Sequence, residues 1–314
     1  MDESKPNWER DAIIELANAG LKEQRRSRRW GVFFKLFFVA YLVVFLIAVI
    51  GSKNTDGLMS GERHTALVSL IGVIADGEDA SANNVVSGLR AAFENENSAA
   101  VILSINSPGG SPVQSAYINS EIKRLREMYP AKPIYAVVSD ICASGGVYVA
   151  VAADKIFANE SSIVGSIGVR MDGFGFEGAI EKLGVERRLL TAGEHKAVLD
   201  PFSPENPVEK QHVQTMLDEI HQEFIDVVKE GRGDRLANDP KLFTGLFWTG
   251  TKAMELGLID GLGSAGYVAR EVVGVEDIVD YSYQEDILQR FAGRIGSSIA
   301  SQLKLWLEGG VNLR

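Results

Sequence analysis

Residues 99–105 are an almost unbroken apolar run that ends in Ser107-Pro108-Gly109-Gly110-Ser111, and residues 134–138 are a second such run that leads into Ala143-Ser144-Gly145-Gly146. Runs of this length without polar alternation suit strands buried on both faces, and a turn into a helical pattern is how parallel strands are connected. Ahead of them, residues 66–74 read as a strand, and Val85, Leu89 and Phe93 fall on one face of a helix. Ile118, Ile122 and Leu125 follow the first glycine turn at helical spacing, and residues 143–153 form a helical stretch at the second. Strand, helix, strand, helix predicts an α/β fold with a largely parallel sheet. Val213, Leu217, Ile220, Phe224 and Val227 then form the apolar stripe of a long later helix. A chain of 314 residues, 46% of them hydrophobic, can build one large core and carry further segments.

One such segment lies near the start. Residues 36–50 hold no charged side chain, and extending back to Trp30 gives a stretch interrupted only by Lys35. Residues 30–50 as a helix span roughly 31 Å, about one hydrocarbon core, and Lys35 can snorkel to the headgroups. Arg25, Arg26, Arg28 and Arg29 come just before, so the positive-inside bias keeps that end cytoplasmic and exports the remainder. A long N-terminal lead and the lack of a small-x-small cleavage site favour an uncleaved anchor over a removed signal peptide. The expected organisation is a cytoplasmic segment at 1–29, a transmembrane helix at 30–50, a linker at 51–63, a globular domain at 64–275 and an amphipathic tail at 276–314. Ile13, Ile14, Leu16 and Leu21 suggest a short helix in the first of these. Ile287, Phe291, Ile295, Ile299 and Leu303 suggest a helix in the last, suited to a membrane surface, a second subunit or its own domain.

The net charge of −10 divides into +2 over residues 1–35 (8 basic, 6 acidic) and −12 beyond them (24 basic, 36 acidic). So acidic a globular part repels phosphate, which excludes nucleic acid as a partner. Cys142 is the sole cysteine, so no intramolecular disulfide or multi-cysteine metal site can form. His64, His195, His212 and His221 match no paired-ligand spacing, and neither a metal nor a cofactor is expected.

Ser144 and Lys196 are the leading candidates for chemistry. A serine hydroxyl needs a base to take its proton, and a lysine amine can do so when burial away from carboxylates keeps it neutral. Ala197, Val198 and Leu199 give Lys196 an apolar flank, while Glu194 and Asp200 would oppose neutrality if they turned toward it. Gly109 and Gly110 let backbone N–H groups face a developing oxyanion at a helix start, and Gly145 offers another donor. His195 is an alternative base, disfavoured because neighbouring side chains diverge on an extended segment. Cys142 reads as a small buried filler.

Taken in order, Asn-Ser-Pro-Gly-Gly at 106–110, Ala-Ser-Gly-Gly at 143–146, Ser-Ile-Val-Gly-Ser-Ile-Gly-Val at 162–169, Gly-Glu-His-Lys at 193–196, Asp-Pro-Phe at 200–202 and the stretch 243–260 resemble the SppA-type signal peptide peptidase family of membrane-anchored serine proteases. The resemblance covers roughly residues 64–270 and matches the short form without a tandem repeat. It implies a ClpP/crotonase-like domain with Ser144 as nucleophile and Lys196 as general base. It further implies an oxyanion hole from Gly110, Gly145 and Gly109, and Ser166 as the serine that orients the lysine. Homo-oligomers, with sites sometimes completed between subunits, are implied as well. So is hydrolysis of remnant signal peptides or other membrane-associated peptides, by a single-pass protein of the bacterial inner membrane with a periplasmic catalytic domain. The competing expectations are a crotonase-like acyl-thioester enzyme and a catalytically silent membrane scaffold.

Overall fold

The computed structural model describes residues 26, 28–45 and 61–283. The chain divides into two units, residues 1–62 and 63–314. In the first, residues 28–45 form a helix, α1, whose large apolar side chains from Trp30 to Phe45 are all exposed. Among the described residues no helix is long and apolar enough to cross a membrane. Residues 46–50 of the expected span lie outside the described residues, as do the expected helix around residues 13–21 and the tail from 284 onward.

The second unit runs β1 (His64–Ile71), α2 (Ala82–Glu94), β2 (Ser98–Ser107), α3 (Pro112–Met128), β3 (Ile134–Ala143), α4 (Gly145–Ala150), β4 (Lys155–Ala158), β5 (Ile163–Gly165), α5 (Glu177–Lys182), α6 (Pro207–Arg232), β6 (Phe247–Thr249), α7 (Gly250–Glu255), β7 (Gly261–Leu262) and β8 (Ile278–Asp280), with short helical turns between. Its sheet has the order β6-β5-β3-β2-β1-β8, with β4 also paired to β3 and β7 to β4. All pairings are parallel except that of β5 with β6. The sheet extends past residue 275, where the tail was expected to begin: Ile278–Asp280 pair with Thr65–Leu67, and the Tyr281 hydroxyl lies 2.9 Å from His64 Nε2.

The unbroken apolar character of β2 follows from cover on both faces. Val101, Leu103 and Ile105 meet α2, α3 and α4 in the main core, while Ile102 packs from the other face with Val137, Phe157, Val268 and Ala269. Leu89 and Phe93 of α2 and Ile118, Ile122 and Leu125 of α3 are essentially inaccessible. Each such side chain contributes about 1.5–3 kcal/mol of burial.

Two local devices shape the region of the functional residues. Strand β3 forks: Tyr135–Val138 pair with β4, whereas Ile141–Ala143 pair with β5. The β2–β3 ladder slips between Ile105 and Ser107, and Asn106 bridges the slip by donating to the Asp140 carboxylate at 2.8 Å and accepting from Ile141 N–H at 3.3 Å. At the far end of α6, Arg232 is 1% exposed; it donates to Gly257 O at 2.8 Å and grips both carboxylate oxygens of Asp260 at 2.8 and 3.0 Å. Asp260 also accepts from Ile156 N–H at 2.7 Å, so this ion pair ties α6 to β4.

Candidate active site

The first glycine turn is built by its own sequence. Ser111 caps α3, accepting from Gln114 N–H at 3.4 Å, and Pro112 occupies the first turn, where a missing N–H leaves nothing unpaired. Gly110 forms an isolated bridge with Ile74: Ile74 N–H donates to Gly109 O at 2.9 Å, and Ser111 N–H to Ile74 O at 2.7 Å. Because the bridge uses the flanking groups, the N–H of Gly110 itself is left free to point elsewhere. A Cβ on Gly110 would stand 2.1 Å from Ile74 O, so only glycine fits. Gly109 has φ +98 and likewise has no room for a Cβ, which would meet Gly145 N and Ser144 Cβ at 2.7 Å.

That last contact brings the two turns together. Ser144 sits between β3 and α4 with φ 51 and ψ −120, a region L-residues avoid. It is held there by donation of its N–H to Gly165 O at 2.8 Å and by Tyr148 N–H donating to its carbonyl at 3.1 Å. Gly145 opens α4 one residue later; a Cβ there would lie 3.3 Å from Gly110 N. Among the described residues neither the Gly110 nor the Gly145 N–H has an acceptor, as two donors reserved for a transient anion would be. Gly109 differs from expectation: its N–H donates to Ser107 Oγ at 3.1 Å, and Ser107 Oγ donates in turn to Gly72 O at 2.6 Å.

Ser144, Gly109, Gly110, Gly145 and Ser166 line one cavity of about 790 Å³. Ser166 also has a left-handed backbone, φ 55, fixed by donation of its N–H to Leu246 O at 2.6 Å. Cys142, beneath the turn, is 1% exposed, and burial pushes its thiol up to about 12; it stays protonated and acts as a filler.

Lys196 does not line this cavity. It is exposed within residues 170–206, where 171–196 are all exposed except the partly buried Ile180. The carboxylates that threatened its neutrality are engaged elsewhere or in solvent: Asp200 accepts from Ser203 Oγ at 2.6 Å and from Arg187 at 3.1 Å, and Glu194 is exposed. His195 is also outside the cavity, with Nδ1 3.1 Å from Glu209 Oε1.

Sequence reasoning missed the α6 wall. Ile220 and Phe224, read as an apolar stripe, line the cavity together with His221 and Glu223, and Tyr148 of α4 joins them by donating its hydroxyl to Glu223 Oε1 at 3.0 Å. Burial, then this bond, pushes the Tyr148 phenol up to about 12. Residues 75 positions apart give no local signal of such a pairing.

Peptidase family S49 matches residues 126–275. A protein of Brucella abortus named as a Na(+)/H(+) antiporter is 49% identical over 186 residues, which are 59% of this chain and 25% of that protein. A putative signal peptide peptidase of Enterococcus faecium is 32% identical over 62% of this chain and 59% of its own length. A putative protease of Synechocystis is 33% identical over 65% of this chain and 72% of its own length. The chain thus spans only a quarter of the Brucella relative and about three fifths of the Enterococcus one. The Synechocystis similarity, sustained over most of that protein, and the family match from within α3 to just short of β8 agree with a strained serine facing two glycine turns: the chain belongs to peptidase family S49.

Proposed function

We propose that the protein is a membrane-anchored serine endopeptidase that uses a Ser144–Lys196 dyad. The observation that carries this is the strained Ser144 in a cavity beside the unpaired N–H groups of Gly110 and Gly145. A neutral Lys196 amine takes the Ser144 proton as Oγ attacks the scissile carbonyl, and the oxyanion accepts from Gly110 and Gly145. Collapse breaks the C–N bond, and the lysine ammonium returns its proton to the leaving amine. Water, deprotonated by the same lysine, then releases the acyl group and restores Ser144. Ser166 orients the amine; Gly109 serves by shape, since its own N–H is engaged.

Lys196 reaches Ser144 when residues 170–206 pack on a neighbouring copy of the chain. Supporting this, that segment exposes Phe174 (79%), Leu183 (76%) and Leu190 (97%), apolar area that a lone chain leaves in water. Assembly into a homo-oligomer would bury it and desolvate the amine. The remaining organisation is that of a ClpP/crotonase-like domain from residue 64, exported to the periplasmic side of a bacterial inner membrane and anchored there by the apolar segment 30–50. Its substrates are extended, membrane-associated peptides such as signal-peptide remnants, a reading supported by the name of the Enterococcus relative. Nucleic acid plays no part.

A fluorophosphonate reagent tests the dyad on the full chain in detergent. Wild type should label, Ser144→Ala should not, and Lys196→Ala should label far more slowly, with peptide cleavage down roughly 10⁴-fold in either variant. Undiminished labelling of Ser144→Ala, or none of wild type, refutes the mechanism. Signal-peptide fragments accumulating in membranes of a deletion strain test the substrate class.

A further inference from the structure

The cavity around Ser144 holds a carboxylate without an ion-pair partner among the described residues. Glu223 lines it and is exposed, and among the described residues it has no cationic partner. Its position is nevertheless fixed. Tyr148, 7% exposed and packed on Phe224 with ring centroids 5.3 Å apart, donates to Oε1 at 3.0 Å. The other charged side chain lining the cavity, Arg170, lies 3.5 Å from Asp172. Among the described residues His221 forms no ion pair with Glu223, and its Nε2 is sealed from solvent without a partner. The nearer acids along α6, Asp226 and Glu219, do not line the cavity, leaving Glu223 as the carboxylate of this wall among the described residues. Ile220 and Phe224 beside it offer apolar surface of the kind that accepts the methylene stem of a long basic side chain.

We propose that Glu223 selects peptides carrying a lysine or arginine side chain beside the bond cleaved at Ser144. The inference rests on the peptidase reading and adds to it a charge preference. A carboxylate anchored by a buried phenol loses little freedom on binding a cation, so the pairing is pre-organised. The strongly acidic balance beyond residue 35 draws basic peptides toward the same site.

The test uses two peptides that differ only in lysine or norleucine next to the cleaved bond; norleucine keeps the aliphatic stem and drops the ammonium. With the full chain in detergent, kcat/KM should favour the lysine peptide about tenfold or more. Glu223→Gln, which retains an acceptor for Tyr148, should bring the ratio close to one, and Glu223→Lys should turn preference toward a glutamate peptide. Anisotropy with the same peptides on Ser144→Ala protein should show the same ordering in binding. Equal cleavage by wild type, or a lysine preference that survives in Glu223→Gln, overturns the proposal. If Ser144 labels with fluorophosphonate and norleucine and lysine peptides are cut alike, only the selectivity fails; if there is neither labelling nor cleavage, the peptidase reading fails with it.

Discussion

Ser144 holds φ 51 and ψ −120, a backbone that glycine adopts freely and serine only at a cost of about 1–3 kcal/mol. The hydrogen bonds to Gly165 O and from Tyr148 N–H hold it there. Strain of this kind has a measurable signature: Ser144→Gly should melt above Ser144→Ala, by roughly 1 kcal/mol in chemical denaturation, while both variants fail to label. A Ser144→Gly protein no more stable than Ser144→Ala would mean that the turn is unstrained. Gly110 makes the opposite demand. A methyl there would stand 2.1 Å from Ile74 O, so Gly110→Ala should lose at least ~2 kcal/mol of stability and most labelling together, through displacement of the free N–H.

Elements are positioned by ion pairs placed where helices meet the sheet. Arg232, 1% exposed, joins the end of α6 to Asp260 and through it to β4, and without it the largely buried Asp260 carboxylate keeps only the more exposed Arg235, at 3.1 Å, as a cationic partner. Arg232→Met should therefore destabilise, by less than the ~3–5 kcal/mol of a wholly stranded buried charge because Arg235 remains, and, by freeing α6, also reduce labelling of Ser144. Glu121 of α3 does the same between α2 and α3, bonding Arg124 at 2.6 Å and Arg90 at 2.7 Å, and the bond from Arg124 leads in holding its carboxyl down at about 2. Because the folded value is the lower one, this contribution is fully present above the ordinary glutamate range and is lost as pH falls toward about 2. Glu121→Gln should accordingly flatten the wild-type decline in stability between pH ~4.5 and ~2, as followed by urea unfolding at several pH values. Parallel acid limbs in the two proteins would assign that decline to other groups.

For the whole molecule, the decisive feature is the exposed segment 170–206. Phe176 and Phe202 stack at 5.6 Å, Arg187 lies over Phe202, and Phe176 N–H donates to Pro201 O, so the segment has internal order without a core of its own. Apolar side chains on an ordered excursion fit a docking arm. Leu190→Asp should shift the protein to smaller species in sedimentation velocity and slow fluorophosphonate labelling in parallel, since Lys196 is carried by the same arm. Unchanged sedimentation with normal labelling would place the dyad within a single chain.

The chain's order of apolar runs, glycine pairs and capping residues determined the parallel α/β core, because burial on both faces and Cβ-free turns leave local marks. It also determined Ser144, Gly110 and Gly145 as candidates, each marked by position just after a strand. The sheet's continuation to Asp280, the engagement of Gly109 N–H by Ser107, and the meeting of Tyr148 with Glu223 were decided only by tertiary structure. The first and last join segments distant in the chain, and the Ser107 hydroxyl that takes the Gly109 N–H is aimed by its own bond to Gly72 O, 35 residues away, so side-chain direction rather than residue type sets each contact. Lys196 makes the same point: its residue type suits a base, but neutrality comes from surroundings, and in the single chain it stands in solvent.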